Sequence, residues 1–490
     1  MRKGSKLIDR KEMNAASLLA SAGMNIGLAL VVLSLFSVLK KQPCSAPVYF
    51  ARRIARREAL PLYPAFSLAR LRPTASWISR AFRITEDEVL RIQGLDALVV
   101  LRLFKFGTKF FTVCSIIGLL ILVPVNFTCQ DGHSRSEFSY SMDAFTISNI
   151  GKGSNRNWHI HFNTKLRNCV EKLLRDPLSG CVFVIHFGYI LETQRFMRKE
   201  LPVAFVSFKS RCGAAFAAQT QQHIHPLLWT TEAAPEPRDV IWKNLAIPCH
   251  LLALYRTGIF IAALLLTVFF ALPVTAVQGI AQFENLKKWF PPARAVQIIP
   301  GLSSFLTGCL PSVILNCFIY VIPYAMVYMA SLEGYISHSG KQMRACSMVF
   351  YFLVGNVFFL SLLSGSLLQQ IGESFTHPKD FPSHLASAVS AQSDFFITYI
   401  LTDGLSGFSL EILQLGLVTW HVVRTCSFGQ SIENDSYLFG FPYYRVIPIV
   451  SLAILIGMVY AVISPLLLPF LIIYFLLGYA VYVNQTFSKV

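Results

Sequence analysis

Long apolar segments are the feature that most limits the folds open to this chain. A helix needs about 20 mostly apolar residues to cross a bilayer, and backbone groups in lipid must be satisfied within the helix itself. Eight segments approach or exceed that length: Ser17–Leu39, Leu98–Val125, Ala253–Val277, Leu302–Met329, Met348–Ile371, Ala386–Val422, Val446–Leu467 and Leu468–Val483. They predict an all-α polytopic membrane protein. The sixth is long enough to be broken or tilted, and Pro465 and Pro469 predict a tight hairpin between the last two.

The composition agrees with a membrane protein, and the position of the charged residues indicates which partners the net positive charge attracts. Hydrophobic residues make up 54% of the chain and charged residues 14%, whereas soluble domains are nearer a quarter charged. The formal net charge is +17. Because the basic residues lie in loops between apolar segments, the excess charge indicates attraction to anionic inner-leaflet lipid, and we predict no nucleic-acid partner.

Loop charge also predicts orientation. Lys40–Arg91 is rich in arginine, so it is expected in the cytoplasm, with the N-terminus outside. The second span then emerges outside at Asn126, the first residue of an N-x-T glycosylation sequon. Counting back from the C-terminal half places Lys199–His250 inside, which requires an odd number of spans after Asn126. Only Cys181–Leu191 is apolar there, and it is too short to cross a bilayer. The predicted spans therefore do not give a consistent topology for the two halves of the chain.

These patterns divide the chain into regions. Leu201–Phe208 is rich in β-forming residues and predicts a strand, and Ala214–Gln222 predicts a short helix, which together suggest part of an α+β cytoplasmic linker domain. The predicted regions are a first span at 13–39, a basic cytoplasmic loop at 40–97, a second span at 98–125, an extracellular and atypical segment at 126–200, a linker remnant at 201–250, and a pore-forming bundle of about six spans at 251–485.

The segment Asp403–Gln414 carries the polar residues most suggestive of function. At about 100° per residue, one face of this helix holds Asp403, Gly404, Gly407, Glu411 and Gln414. The face is imperfect, because Leu410 falls beside Asp403. Carboxylates at membrane depth cost about 2.5–3.5 kcal/mol and usually face a cavity or pathway. The sequence therefore predicts a water-lined pore helix, and the alternative is a polar face packed between helices.

Neighbouring spans supply weaker candidates for pore-lining residues. Ser312 closes a stripe of small residues in the fourth predicted span, and Gly365 occupies a similar stripe in the fifth. Asn356 is an isolated amide in the fifth span. Small polar residues at this spacing also serve as helix-packing contacts, so both interpretations stay open. Acidic lining favours cations over anions.

Signals for enzymatic or metal chemistry are weak. The eleven cysteines are scattered, without CxxC pairs or a His/Cys spacing suited to zinc. The sequence has no Walker-type loop, GxSxG or HExxH motif. We therefore predict no catalytic residues, no metal site, no cofactor and no enzymatic activity.

Several long stretches resemble the OSCA family of plant hyperosmolality-gated, calcium-permeable, stress-gated cation channels, whose fold is related to that of anoctamins. The matching stretches are KKQPCSAPVYFARR (Lys40–Arg53), GLDALVVLRLFKFG (Gly94–Gly107), PLLWTTEAAPEPRDVIWKNLAIP (Pro226–Pro248), NVFFLSLLSGSLL (Asn356–Leu368), SDFFITYILTDGLSGFSLEILQL (Ser393–Leu415) and FPYYRVIPIVSLAILIGMVYAVISPLLLPF (Phe441–Phe470). The resemblance implies an anoctamin-like helical bundle, a homodimer with about eleven spans per subunit, and an RNA-recognition-like cytoplasmic linker. It also implies a pore within each subunit, formed by the third to seventh predicted spans.

The function implied by the resemblance is a mechanically or osmotically gated channel in the plasma membrane that conducts calcium and monovalent cations and contacts membrane lipid. The alternatives are a phospholipid scramblase and a non-conducting truncated subunit. The chain also departs from the family pattern: a third span is expected near Trp158 and is absent, and most of the linker is missing. It therefore resembles a shortened member.

Overall fold

The computed structural model describes residues 15–42, 45–51, 54, 76–128, 205–220, 233–247, 249–281, 310–363, 389, 392–428 and 441–489. Regular structure in these residues is helical. The α-helices are α1 (Ala15–Leu39), α2 (Ala46–Tyr49), α3 (Ser76–Arg83), α4 (Glu86–Gln93), α5 (Leu95–Ile117), α6 (Val123–Thr128), α7 (Arg211–Gln219), α8 (Cys249–Ala281), α9 (Leu310–Leu332), α10 (His338–Leu353), α11 (Leu360–Leu363), α12 (Ser393–Thr402), α13 (Phe408–Leu413), α14 (Leu415–Phe428), α15 (Tyr443–Ile463) and α16 (Leu467–Lys489).

Seven helical segments among the described residues are long and apolar enough to cross a membrane. They are Leu18–Leu39, Leu95–Leu122, Leu251–Phe270, His338–Leu362, Ser393–Cys426, Tyr443–Ile463 and Leu467–Thr486. A shorter apolar helix, Val321–Leu332, lies in the fourth predicted span. The predicted fold class, an all-α polytopic membrane protein, is confirmed.

Local sequence explains where several helices begin and end. α10 starts ten residues before the predicted fifth span because Ser337 caps it, accepting a 3.0 Å hydrogen bond from the Gly340 amide. The sixth span is broken at Gln414, whose φ of 51° is left-handed and separates α13 from α14. The hairpin predicted at Pro465 is present as a turn between α15 and α16.

Glycines let large aromatic rings fill the space between spans. Phe104 and Phe111 of α5 are fully buried. A Cβ atom at Gly478 would overlap the ring of Phe104, and one at Gly457 would overlap the ring of Phe111. Lipid is as apolar as these side chains, so close van der Waals packing of this kind holds spans together. It fixes α5 against α15 and α16, and so positions the helices that surround α12 and α13.

The predicted α+β linker is not confirmed. Residues 205–208 belong to no strand, and the first four residues of the predicted strand lie outside the described residues. The predicted helix is present as α7, starting at Arg211 because Ser210 accepts a 3.1 Å hydrogen bond from the Gly213 amide. A single strand leaves its backbone groups unpaired, so a sequence run of β-forming residues is not enough to make a sheet.

The segment before α8 is fastened to the turn between α9 and α10. The Ile241 amide donates to the Ile336 carbonyl at 2.7 Å, and the Asn244 side-chain amide donates to the Tyr335 carbonyl at 2.7 Å. The Asp239 carboxylate accepts from the Ser339 amide at 3.0 Å, in the first turn of α10. An isolated antiparallel bridge at Val240 completes this connection.

Candidate functional site

A π-helical segment interrupts the sixth span at the predicted polar face. Asp403–Gly407 is π-helical, and two further π-helical segments occur at Gly118–Leu122 and Val354–Phe359. π-helical turns are rare in proteins, and those that do occur often lie at functional sites. The segment Asp403–Gly407 packs between α1 and α16.

The first predicted carboxylate, Asp403, contacts the last helix. Its Oδ2 atom accepts a 3.0 Å hydrogen bond from the hydroxyl of Tyr474 in α16. A Cβ atom at Gly404 would lie 3.0 Å from Tyr474 Cδ2, and one at Gly407 would lie 2.8 Å from Asp403 Oδ1. The two glycines therefore leave the space that the tyrosine ring and the carboxylate occupy.

The second predicted carboxylate, Glu411, is paired with an arginine. Arg445 Nη2 lies 2.5 Å from Glu411 Oε1, and the two side chains are only 8% and 13% exposed. The Gln485 side-chain amide donates to the Glu411 carbonyl at 2.8 Å. Arg445 Nη1 also donates to the Tyr324 hydroxyl at 3.3 Å. Glu411 thus joins the sixth span to α9, α15 and α16.

Asp403 and Glu411 both contact one stripe of α16. Their partners Tyr474 and Gln485 are eleven residues apart, which is about three turns of an α-helix. The structure therefore brings Asp403 and Glu411 together along the same face, although the π-helical turn between them departs from the uniform 100° spacing used for the prediction. In this arrangement both side chains bind protein groups, and their role as pore-lining residues stays a prediction.

Gln414 marks the interruption of the sixth span. Its backbone amide donates to the Leu410 carbonyl at 3.0 Å, which ends α13. Its side-chain Oε1 atom is buried and has no hydrogen-bond partner among the described residues. The Leu413 carbonyl, which the break removes from the helical ladder, accepts a 2.7 Å hydrogen bond from the Tyr49 hydroxyl.

Of the other predicted site residues, the structure describes the side chains of Asn356 and Asn126. Asn356 is 2% exposed in the π-helical segment Val354–Phe359, where its side-chain amide donates to the Phe352 carbonyl at 3.4 Å. The backbone of Ser312 lies in α9, and Gly365 lies outside the described residues. Asn126 is 1% exposed at the end of α6. A glycan needs an accessible amide, and its attachment there stays a prediction.

Sequence reasoning missed a polar contact between the first and sixth spans. The Asn25 amide donates to Thr402 Oγ1 at 3.1 Å, and the Ser406 hydroxyl donates to Asn25 Oδ1 at 2.9 Å. Ser406 is not among the residues of the predicted polar face. The signal that points to this contact is Asn25 itself, an amide in an apolar span where an unpaired polar group is costly. Within the described residues no group of three or more His, Cys, Asp or Glu side chains is placed to hold a metal ion.

Three family models match the chain. A model described as "Calcium-dependent channel, 7TM region" matches residues 255–489. A model described as "Late exocytosis, associated with Golgi transport" matches residues 17–166. A third, for a cytosolic domain, matches residues 190–244.

Curated relatives from Arabidopsis thaliana align with nearly the whole chain. Hyperosmolality-gated Ca2+ permeable channel 2.5 is 50% identical, with 96% of this chain and 81% of the relative covered. Channel 2.3 is 32% identical, with 96% and 83% covered, and channel 2.1 is 32% identical, with 96% and 78% covered. The alignment with channel 2.5 extends over 582 positions, more than the 490 residues of this chain, so the relative has internal segments without a counterpart here. The chain is a member of the OSCA family, whose Arabidopsis members carry the name hyperosmolality-gated Ca2+ permeable channel.

Proposed function

We propose that this protein is a calcium-permeable cation channel, gated by membrane tension or osmotic stress, with a pore inside each subunit. The observation that carries the proposal is the interrupted sixth span, which holds two carboxylates inside the bundle in a chain whose relatives are named as channels. Carboxylates within a membrane bundle are costly unless they serve a pathway or a partner. Calcium and monovalent cations are the proposed permeant ions.

Charge supports the choice of cations. Asp403 and Glu411 attract cations and repel anions, and oxygen ligands suit calcium. In the proposed conducting state these carboxylates exchange protein partners, Tyr474 and Arg445, for hydrated ions. Asn356, Gly365 and Ser312 are proposed to line the same pathway from neighbouring spans.

Gating by tension follows from a change in area or hydrophobic thickness. Mismatch between a span and the bilayer costs fractions of a kcal/mol per Å, and tension favours the state with the larger area or thinner profile. The π-helical segment at Asp403–Gly407 and the left-handed residue Gln414 divide the sixth span into three pieces. Such a helix is suited to bend between two states.

The test is a patch-clamp recording from a cell line without endogenous stretch-activated current. The chain is expressed, its arrival at the cell surface is measured by surface biotinylation, and pressure is applied to the patch. We expect a cation current that grows with tension and carries calcium. Surface-exposed protein that passes no current under tension contradicts the proposal.

A second candidate is a non-conducting subunit, favoured by the internal segments that the relative has and this chain lacks. Co-expression with Arabidopsis channel 2.5 tests it: co-purification with that subunit, together with absence of current from the chain alone, supports this candidate. Co-purification of two differently tagged copies of the chain tests the proposed homodimer, and surface biotinylation tests the proposed plasma-membrane location. Vesicles containing labelled phospholipid separate channel activity from the scramblase alternative.

A further inference from the structure

We propose that an apolar cleft beside the π-helical segment binds one acyl chain of an anionic phospholipid of the inner leaflet. The cleft lies between α1, α3, α13 and α16 and has a volume of about 120 Å³. Its lining includes Ala29, Leu33, Trp77, Gly404 and Val481. This site is independent of the proposed channel activity, because its test measures lipid binding without current.

The chemistry of the lining selects hydrocarbon over water. Ser409 supplies the only hydroxyl among the described residues that line the cleft, and it donates to the Leu405 carbonyl at 2.5 Å. A buried water needs two to four polar partners, which this lining does not offer, whereas apolar cavities of this size stay dry and bind apolar groups. Gly404 belongs to this lining, so a bound chain would lie against the π-helical segment.

The position of the cleft assigns it to lipid of the cytoplasmic half. One wall is α1, where Ile26 and Leu30 are 47% and 60% exposed. α1 is predominantly apolar, as expected for a span that meets lipid. Trp77 and Ile78 of α3 also line the cleft, and α3 belongs to the arginine-rich segment expected on the cytoplasmic side. The groups adjoining the opening are therefore acyl chains of the inner leaflet.

Charge on α3 favours an anionic headgroup. Arg80 and Arg83 are exposed in the last turn of α3, and neither is paired with a carboxylate in the part of the chain that the structure describes. Phe82, between them, is 50% exposed, and its ring lies 5.7 Å from that of Tyr479. A basic and aromatic surface of this kind suits the lipid headgroup region, where each Lys or Arg contributes about 1 kcal/mol of attraction to anionic lipid.

Photo-crosslinking of the purified full chain tests the cleft. The protein is reconstituted with phosphatidylserine that carries a photoreactive acyl chain, and adducts are mapped to peptides by mass spectrometry. Ala29→Leu puts a larger side chain into the cleft, whereas Gly27→Leu places a leucine on α1 where no atom lies within 4 Å of the added Cβ. We expect adducts on cleft peptides to fall at least fivefold in Ala29→Leu and to stay unchanged in Gly27→Leu.

A second pair of variants tests the headgroup contact. Replacing Arg80 and Arg83 by glutamine is expected to remove a severalfold preference for phosphatidylserine over photoreactive phosphatidylcholine. Arg91→Gln is the control, because Arg91 is an exposed arginine on α4 and does not adjoin the cleft. A preference that survives the double replacement contradicts the headgroup assignment.

Competition in the wild-type protein keeps the test decisive if Ala29→Leu fails to fold. Excess unlabelled phosphatidylserine should suppress adducts on cleft peptides at a saturating concentration. It should reduce adducts around Leu120, which is 72% exposed on the lipid-facing surface, only in proportion to dilution. If adducts on cleft peptides and adducts around Leu120 fell by the same factor, the lipid at the cleft would be ordinary surrounding lipid. That result would overturn the proposal.

Discussion

The Tyr49 hydroxyl donates a 2.7 Å hydrogen bond to the Leu413 carbonyl, at the residue where the sixth span is interrupted. Tyr49 is 3% exposed and lies in α2, just after the first span. A break in a helix leaves carbonyl groups without helical partners, and each needs another donor when buried. Tyr49 supplies that donor, so the loop after the first span holds the break of the sixth.

Tyr49→Phe should destabilise the protein, because it leaves the Leu413 carbonyl without its donor while retaining the ring. A buried acceptor left unsatisfied costs about 1–3 kcal/mol. Thermal unfolding of the detergent-solubilised protein measures the change. Tyr351→Phe is the control, since Tyr351 is 71% exposed and should tolerate the loss of its hydroxyl. Equal midpoints for both variants would show that the Tyr49 bond contributes nothing.

The Glu411–Arg445 pair should show strong coupling in a double-mutant cycle. Removing one partner of a buried ion pair costs about 3–5 kcal/mol because the other charge stays buried and uncompensated. Glu411→Gln and Arg445→Gln should each lower the unfolding midpoint markedly, and the double variant should lose less than the sum of the two. Additive losses in the cycle would mean that the two side chains do not interact as the structure indicates.

Removing the carboxylates should weaken cation preference in the proposed channel. Asp403→Asn and Glu411→Gln keep the side-chain shape and remove the charge, so the reversal potential in a salt gradient should shift toward that of chloride. Asp87→Asn is the control, because Asp87 is exposed on α4. Unchanged reversal potential and conductance in both carboxylate variants would refute a pore-lining role for this face.

Gly404→Ala should destabilise the contact between the sixth and last spans. The new methyl group would meet Tyr474 at 3.0 Å from a ring atom and 3.5 Å from Cα, so the ring or the helix must shift. Overpacking of this kind typically costs about 1–3 kcal/mol. Gly416→Ala adds a methyl group on α14 where no atom lies within 4 Å, and it should be neutral or stabilising by about 0.5–1 kcal/mol. The thermal unfolding midpoints distinguish Gly404→Ala from Gly416→Ala. Equal midpoints for the two variants would contradict close packing of Gly404 against Tyr474.

Acid should weaken the contact between α4 and α5. The Lys105 ammonium donates to Glu86 Oε1 at 2.7 Å and, with Arg102, lowers the pKa of the Glu86 carboxyl below its ordinary value. A lowered folded-state pKa means that the stabilisation is present above the unfolded value, about 4.3, and is lost as pH falls through the folded value. The effect is small, because the Glu86 side chain is 36% exposed and screened by solvent.

The measurement for this contact is unfolding of wild type and Glu86→Gln across the acid range. The wild-type advantage should be constant near neutral pH and should shrink below the ordinary glutamate range. Asp87→Asn, on the same helix, should show a smaller dependence. An advantage for wild type that persists at the lowest pH would contradict an ionic origin.

Much of the fold was predictable because bilayer length limits spans directly. The first span, the hairpin at Pro465 and the break in the sixth span follow from apolar length and proline position. The partners of the polar face were not predictable, because Tyr474, Arg445 and Gln485 are distant in sequence and meet Asp403 and Glu411 only after α15 and α16 pack. The face itself was identified from its spacing, but no sequence rule indicated the π-helical turn within it.

The connection between Asp239 and the start of α10 ties the segment before α8 to the fifth span. A pull on the backbone at Val240 would reach the turn before α10 through the Ile241 amide, and the first turn of α10 through the Asp239 carboxylate. α10 then continues without a break into the π-helical segment that contains Asn356. Displacement of the segment before α8 would thus be transmitted along a continuous helix to the interior of the bundle.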